Sequence, residues 1–219
     1  MTQRVTTGAL PEWWAPLLDR VASIRAEEFS RLAVPDEGGR PSAVLVLLAD
    51  DRPTGPDVLL LQRAADMRTH AGQPAFPGGA ADPTDVDVTA TALREANEEV
   101  GLDPATVDVQ ATLPSLWIAV SNFVVTPVLA WWRSPHPVAP ADPREVELVA
   151  RVPLAHLADP TNRLLVRHRS GFVGPAFRTE NMLVWGFTAG ILSTLLELGG
   201  WARPWNPSGR PEDLPAVGG

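Results

Sequence analysis

Three glutamates lie close together in the chain, at spacings that could hold a divalent cation. The segment from Thr89 to Val100 has the periodicity of a helix, on which Glu95, Glu98 and Glu99 share a face distinct from the apolar one. Like charges at these spacings repel, and the last two also oppose the helix dipole. We therefore expect Glu98 and Glu99 to face solvent or a metal ion rather than the core. Carboxylate oxygens favour Mg²⁺ or Mn²⁺, although a solvated acidic face is the alternative interpretation.

Two adjacent glycines precede this helix, directly after Phe76 and Pro77. Because Gly78 and Gly79 have no Cβ, the backbone here can approach a phosphate group or a metal ion closely. We expect both glycines to contact the substrate, and we expect Gly79 to join the three glutamates in the metal site.

The run from Arg94 to Leu102, REANEEVGL, resembles the second half of the sequence box of the Nudix hydrolases. The first half departs from that box, because the loop is one residue longer and the family's first glutamate falls on Val86. We expect no equivalent of that acid here. The departure is similar to the coenzyme A pyrophosphatase branch, in which Phe-Pro-Gly-Gly is followed by spaced aspartates, here Asp82 and Asp85.

A second signature of that branch runs from Arg63 to Gly79 and joins the box directly, with Leu61 just upstream as its mismatch. The chain contains no lysine, so arginine must bind any phosphate group. The resemblance implies that Arg63 and Arg68 contact the phosphates of the substrate. For Arg68 the alternative is an ordinary surface arginine.

The resemblance implies an α/β fold, the Nudix α/β/α sandwich with a mixed β-sheet. It also implies metal-dependent hydrolysis of coenzyme A or acyl-CoA to 3′,5′-ADP and the corresponding 4′-phosphopantetheine. Glu95, Glu98 and Glu99 would be the catalytic metal ligands, and one of them, or a water that it holds, would be the base. Glu145 and Glu147 are either further ligands or ordinary surface acids.

Two other functions stay open at this point. One is a Nudix pyrophosphatase that acts on ADP-ribose or nucleoside triphosphates, which would explain the box but not the upstream signature. The other is a non-enzymatic ligand sensor of the same fold, which would have no need of the three acids.

The composition predicts one domain in 219 residues, with a helical extension over 1–40, a catalytic domain over 41–198 and a Pro/Gly-rich tail over 199–219. A net charge of −8 without a basic stripe argues against nucleic acid and for a small-molecule pyrophosphate substrate. No apolar run predicts a signal peptide or a membrane span, so we expect a cytoplasmic protein. A homodimer is compatible with these features.

The elements that must position the site follow from patterning. We expect Pro127 to place its strand at a sheet edge or at a bulge. The tail is either disordered or docked through Trp201 and Trp205. The predicted strands are 42–48, 58–62, 106–113, 123–132 and 145–152, with a hairpin at 172–177, and the predicted helices are 11–33 (one or two), 89–100, 153–160 and 185–198.

Overall fold

The computed structural model describes residues 10–25, 34–35, 38–67, 71–119, 121–206 and 210–214. Within them the chain forms an eight-stranded sheet, a four-stranded sheet and helices on both faces of the larger sheet. The helices are α1 (Trp14–Val21), α2 (Val88–Val100), α3 (Leu154–Ala158) and α4 (Gly186–Leu198). The larger sheet contains β1 (Arg40–Ala49), β2 (Asp57–Arg63), β3 (Pro74–Ala75), β4 (Gly78–Ala80), β5 (Val107–Thr112), β6 (Leu116–Ile118), β7 (Phe123–Trp132) and β8 (Val146–Pro153). The smaller sheet contains β9 (Arg163–Arg167), β10 (Val173–Arg178), β11 (Leu183–Val184) and β12 (Glu212–Asp213).

The larger sheet is mixed, as expected. Strand β1 runs parallel to β7 and antiparallel to β2 and β4. Its pairing with β7 begins at Arg40 opposite Phe123 and ends at Leu48 opposite Trp131. Its continuous apolar sequence is buried from Ala43 onward except at Val44, which agrees with a strand covered on both faces.

Side chains of β1 alternate between two separate cores. Leu45 and Leu47 pack with helix α2 on one face of the sheet, whereas Val46 and Leu48 pack with α1 and α4 on the other face. The sheet is thus enclosed between helical layers, and the expected α/β/α sandwich is confirmed.

Of the two alternatives expected for Pro127, the sheet edge is wrong, because β7 lies inside the sheet between β1 and β5. A bulge agrees with the pairing, since residues 113–115 lie opposite 126–127. Strand β5 ends at Thr112 and β6 begins at Leu116, so the neighbouring strand is interrupted opposite the proline. The carbonyl of Pro127 accepts the N–H of Leu113 from this interruption. Proline has no backbone N–H to donate, but because the neighbouring strand is interrupted on that side, no hydrogen bond between strands is lost.

The start of helix α1, strand β7 and the segment after helix α4 meet in an aromatic cluster. Trp13 stacks on Trp14 at 5.0 Å between centroids and meets Trp131 and Trp201 edge-on. The tail is docked through Trp201 and also through Trp205, which lies 4.6 Å from the guanidinium of Arg163. Of the predicted helix over 11–33, Trp14–Val21 is helical, and 26–33 lies outside the described residues. The division into extension, domain and tail stays a prediction.

Helix α4 packs on one face of the larger sheet. In its first turn the hydroxyl of Thr188 donates to the carbonyl of Pro74, 3.0 Å away, at the end of the sheet where β2 finishes. In its last turn the carbonyls of Glu197 and Leu198 accept from Arg20 of helix α1. No helix among the described residues is long and apolar enough to cross a membrane.

Candidate active site

The glycine loop is shaped by its contact with strand β1. Gly78 has φ +158°, and a Cβ added there would lie 2.7 Å from the Cα of Val44 and still closer to the carbonyl oxygen of Ala43. We expected this glycine to admit a phosphate or a metal, but the close approach that the structure shows is to the backbone of β1. Glycine is required at this position for packing.

Replacing Gly78 with alanine should lower the free energy of unfolding by about 3 kcal/mol, because strain and a collision with rigid backbone both oppose the new Cβ. Urea denaturation measures the loss. Gly190→Ala in helix α4 is the matched control, since no atom lies within 4 Å of its added Cβ. That variant should be as stable as wild type or more stable, and an unchanged midpoint for Gly78→Ala would contradict the packing argument.

Gly79 brings the loop against helix α2. A Cβ at Gly79 would lie 2.5 Å from a carboxylate oxygen of Glu95, so that carboxylate rests directly on the glycine. On the other side, the hydroxyl of Ser42 donates to the carbonyl of Gly79 at 2.6 Å. The loop is therefore clamped between β1 and the acidic face of the helix.

Glu99 is buried, so of the two surroundings expected for it, solvent or a metal ion, the structure excludes solvent. Its carboxylate accepts the N–H of Gly78 at 2.9 Å and lies 3.3 Å from Nη1 of Arg63. Only 7% of the residue is exposed, and burial raises the pKa of Glu99 to about 7 against the lowering effects of Gly78 and Arg63. The helix face that carries Glu99 is turned toward the glycine loop, which the helical period alone does not reveal. Glu98 is 57% exposed, as expected.

Arg94 is the residue at the centre of the site that we did not predict. Its Nε and Nη2 each donate to the carboxylate of Asp85 at 3.0 Å, and Nη2 also donates to the carbonyl of Ala80. Its Nη1 donates to Glu95 and to Glu98, each at 3.0 Å. One guanidinium thus ties the aspartate loop, the glycine loop and two of the three acids together. The signal was present, since Arg94 stands directly before Glu95 in the box.

Asp85 places a carboxylate against Arg94, on the loop where we expected no equivalent of the family's first glutamate. Val86, on which that glutamate falls, is 89% exposed, whereas the neighbouring Asp85 turns inward to Arg94. The bonds from Arg94 hold the pKa of Asp85 far below its usual range. The loop therefore carries an inward-facing acid one position before Val86.

Helix α2 is capped at both ends, which fixes the direction of the acidic face. The side chain of Asp87 accepts the N–H of Ala90 at 2.8 Å, and Gly101 adopts a left-handed conformation with φ +69°. The N–H groups of Gly101 and Leu102 then bond the carbonyls of Asn97 and Ala96. Gly101 is confirmed as the residue that closes the helix.

The two predicted phosphate-binding arginines have different outcomes. Arg63 ends β2, pairs with Glu99, and has a buried Nε that finds no hydrogen-bond partner among the residues that the structure describes. Arg68 lies outside the described residues.

Of the two downstream glutamates, Glu145 lies close enough to raise the pKa of Glu99, while Glu147 accepts a hydrogen bond from the side chain of Gln62 at 3.5 Å. The structure thus brings Glu145, rather than Glu147, to the buried acid.

The donor chemistry of this site fits a hard divalent cation. Burial raises the pKa values of both Glu95 and Glu99 even though Arg94 and Arg63 lie beside them, so the positive charge of the two arginines does not fully offset the cost of burying the ionised forms. A cation would supply further positive charge, and carboxylate oxygens are the ligands it prefers. In the described part of the chain, however, no three acidic or histidine side chains already form a metal cage.

Comparison with known proteins agrees with this geometry. The model of the NUDIX domain family matches residues 39–170. An uncharacterized Nudix hydrolase NudL from Cronobacter sakazakii is 43% identical over 164 residues, covering 73% of this chain and 83% of that protein. NudL from Escherichia coli is 42% identical over the same shares. A Nudix hydrolase from M. smegmatis, RenU, has the same fold, with a TM-score of 0.53 at 23% identity over 78% of this chain and 92% of its own. The chain is a member of the Nudix hydrolase family.

Proposed function

We propose that this Nudix hydrolase cleaves the pyrophosphate of coenzyme A or acyl-CoA to yield 3′,5′-ADP and (acyl-)4′-phosphopantetheine. The observation that carries the proposal is the contact of Arg63 with Glu99 at 3.3 Å. Arg63 opens the upstream signature and Glu99 belongs to the box, so the two sequence motifs form one site. The upstream signature is the part that is specific to the coenzyme A branch.

Hydrolases of this family generally use divalent metal cations, and we propose Mg²⁺ or Mn²⁺ here. Such a cation, when bound, would neutralise pyrophosphate charge and lower the pKa of the attacking water. Glu95, Glu98 and Glu99 would hold it, with the carbonyl of Gly79 as a further oxygen donor. The N–H of Gly78 orients Glu99, and a glutamate of this set accepts the proton of the water.

The arginines bind and orient the substrate. Arg63 and Arg68 offset the negative charge that develops on the transferring phosphoryl group. Coenzyme A also carries a 3′-phosphate that ADP-ribose lacks, so a site for it needs an additional cationic donor, and Arg68 is our candidate.

A panel of pyrophosphates tests the substrate. The purified protein is incubated with Mg²⁺ or Mn²⁺ and one of four substrates: coenzyme A, dephospho-coenzyme A, ADP-ribose or a nucleoside triphosphate. The products are separated by chromatography and identified by mass spectrometry. We expect coenzyme A to have the highest kcat/KM. A tenfold or greater preference for ADP-ribose or a triphosphate would overturn the coenzyme A assignment and leave the family membership intact.

Arg68→Ala should lower kcat/KM for coenzyme A by about 10-fold or more, the cost of about 1.5 kcal/mol for a lost charged hydrogen bond to phosphate. Cleavage of ADP-ribose should fall less, because ADP-ribose has no 3′-phosphate and loses only the contact of Arg68 with the transferring phosphoryl group. Dephospho-coenzyme A should reproduce part of the loss with the wild-type protein. Equal losses on coenzyme A and ADP-ribose would show that Arg68 does not bind the 3′-phosphate.

A further inference from the structure

An aromatic pair lies outside both cores of the protein. The rings of His168 and Trp185 stack with centroids 5.8 Å apart and planes inclined by 18°. Phe187, two residues after Trp185, packs against the core that contains α4, but Trp185 belongs to neither core among the described residues. Both rings of the pair are half-buried. Core packing therefore does not account for a tryptophan at this position.

The pair lies at the same end of the sheet as the glutamates. Trp185 directly precedes α4, whose Thr188 bonds the carbonyl of Pro74. The adjacent Gln73 accepts the N–H of Arg63 through its carbonyl, at the end of β2. Arg63 in turn contacts Glu99, so the start of helix α4, which Trp185 precedes, lies at the end of the sheet where Arg63 meets this glutamate.

The hairpin between β9 and β10 holds His168 in place. The backbone N–H of His168 donates to the carbonyl of Phe172 at 2.9 Å, and Nδ1 of its ring lies 2.9 Å from the hydroxyl of Ser170. Phe172 is 60% exposed. A Cβ added to Gly174 would lie 2.7 Å from Cε1 of Phe172, so the ring packs directly against this glycine. The exposed Arg169 adds positive charge at the tip. This edge of the molecule thus offers fixed, flat π surfaces beside a cation.

Flat π surfaces of this kind suit a nucleobase, because stacking uses the face of the base and an indole gives a large contact area. A pyrophosphate substrate with a nucleoside on one side must place its base away from the metal site. We infer that Trp185 and His168 form a stacking shelf for the adenine of the substrate, an inference that rests on the proposed function. The shelf sets affinity for the nucleotide half and takes no part in the chemical step.

Binding of adenosine 3′,5′-bisphosphate to the full chain, measured by calorimetry, tests the shelf without requiring turnover. Trp185→Leu removes the flat surface but keeps an apolar side chain, and should weaken binding by about 10-fold. Trp185→Phe retains a ring and should bind nearly as tightly as wild type. Binding of ribose 5-phosphate, which has no base, should be the same in all three proteins.

Steady-state kinetics give a second readout. Trp185→Leu should raise KM for coenzyme A and leave kcat close to wild type, since the lost contact is equal in ground and transition states. His168→Leu, on the exposed hairpin, repeats the test should Trp185→Leu fail to fold. The shelf is overturned if both leucine variants bind the bisphosphate as wild type does, or if wild type does not bind it. Wild type that binds the bisphosphate but cleaves no pyrophosphate would refute the proposed function and leave the shelf standing.

Discussion

Replacing Glu99 with glutamine should lower kcat by on the order of 10²-fold or more, because the substitution removes a negative charge from the metal site. The fold should survive. Glutamine keeps an oxygen that can accept the N–H of Gly78, and burial already opposes the ionised carboxylate, whose pKa is raised to about 7. The melting temperature without metal should therefore stay equal to wild type or rise.

Turnover and melting curves with and without Mg²⁺ measure this result. Mg²⁺ should raise the melting temperature of wild type, and should raise it less in Glu99→Gln, because the stabilisation that a ligand gives the folded state increases with the logarithm of its affinity. Glu98→Gln should lose turnover as well. Glu197→Gln, an exposed glutamate of helix α4, is the control and should keep full activity. Near-normal kcat in both Glu98→Gln and Glu99→Gln would remove the acidic face from the catalytic site.

Replacing Arg94 with alanine should lower kcat by about 100-fold, the upper end of what is lost when the groups that orient metal ligands are removed. Arg94 is a positioning residue: it holds Glu95 and Glu98 through Nη1 and fixes the loop of Asp85 through Nε and Nη2. Without it, the two acids repel each other and lose their common orientation. Arg94→Lys should recover little, since an ammonium cannot reproduce the planar fork.

Metal affinity separates positioning from a merely structural role. In Arg94→Ala the half-saturating concentration of Mn²⁺ should rise, and Asp85→Asn should give a smaller change of the same kind. The double variant should lose less than the sum of the two, because the residues act through one contact. Arg144→Ala, which removes an arginine that is 89% exposed and bonded to Asp142, is the matched control. Wild-type metal affinity and turnover in Arg94→Ala would refute the positioning role.

Local pattern was sufficient for most of the fold. Helix α2 begins one residue before its predicted start and ends at Val100 as expected, because its capping and apolar spacing are local in the chain. The strands β1, β2 and β7 follow from apolar runs of suitable length for the same reason. The edge alternative for Pro127 was wrong because the cost of a missing N–H depends on the neighbouring strand, here interrupted between Thr112 and Leu116.

The sequence alone determined the family, the helix with its three acids and the glycine loop, since each is a property of residues near one another in the chain. Only the tertiary structure decided that Glu99 is buried, that Asp85 turns to Arg94, and that Trp185 stacks on His168. Those contacts join different elements, or depend on which face of an element meets its neighbour. Periodicity assigns a residue to a face of its helix or strand. Packing decides what that face contacts, and therefore which carboxylate is removed from solvent.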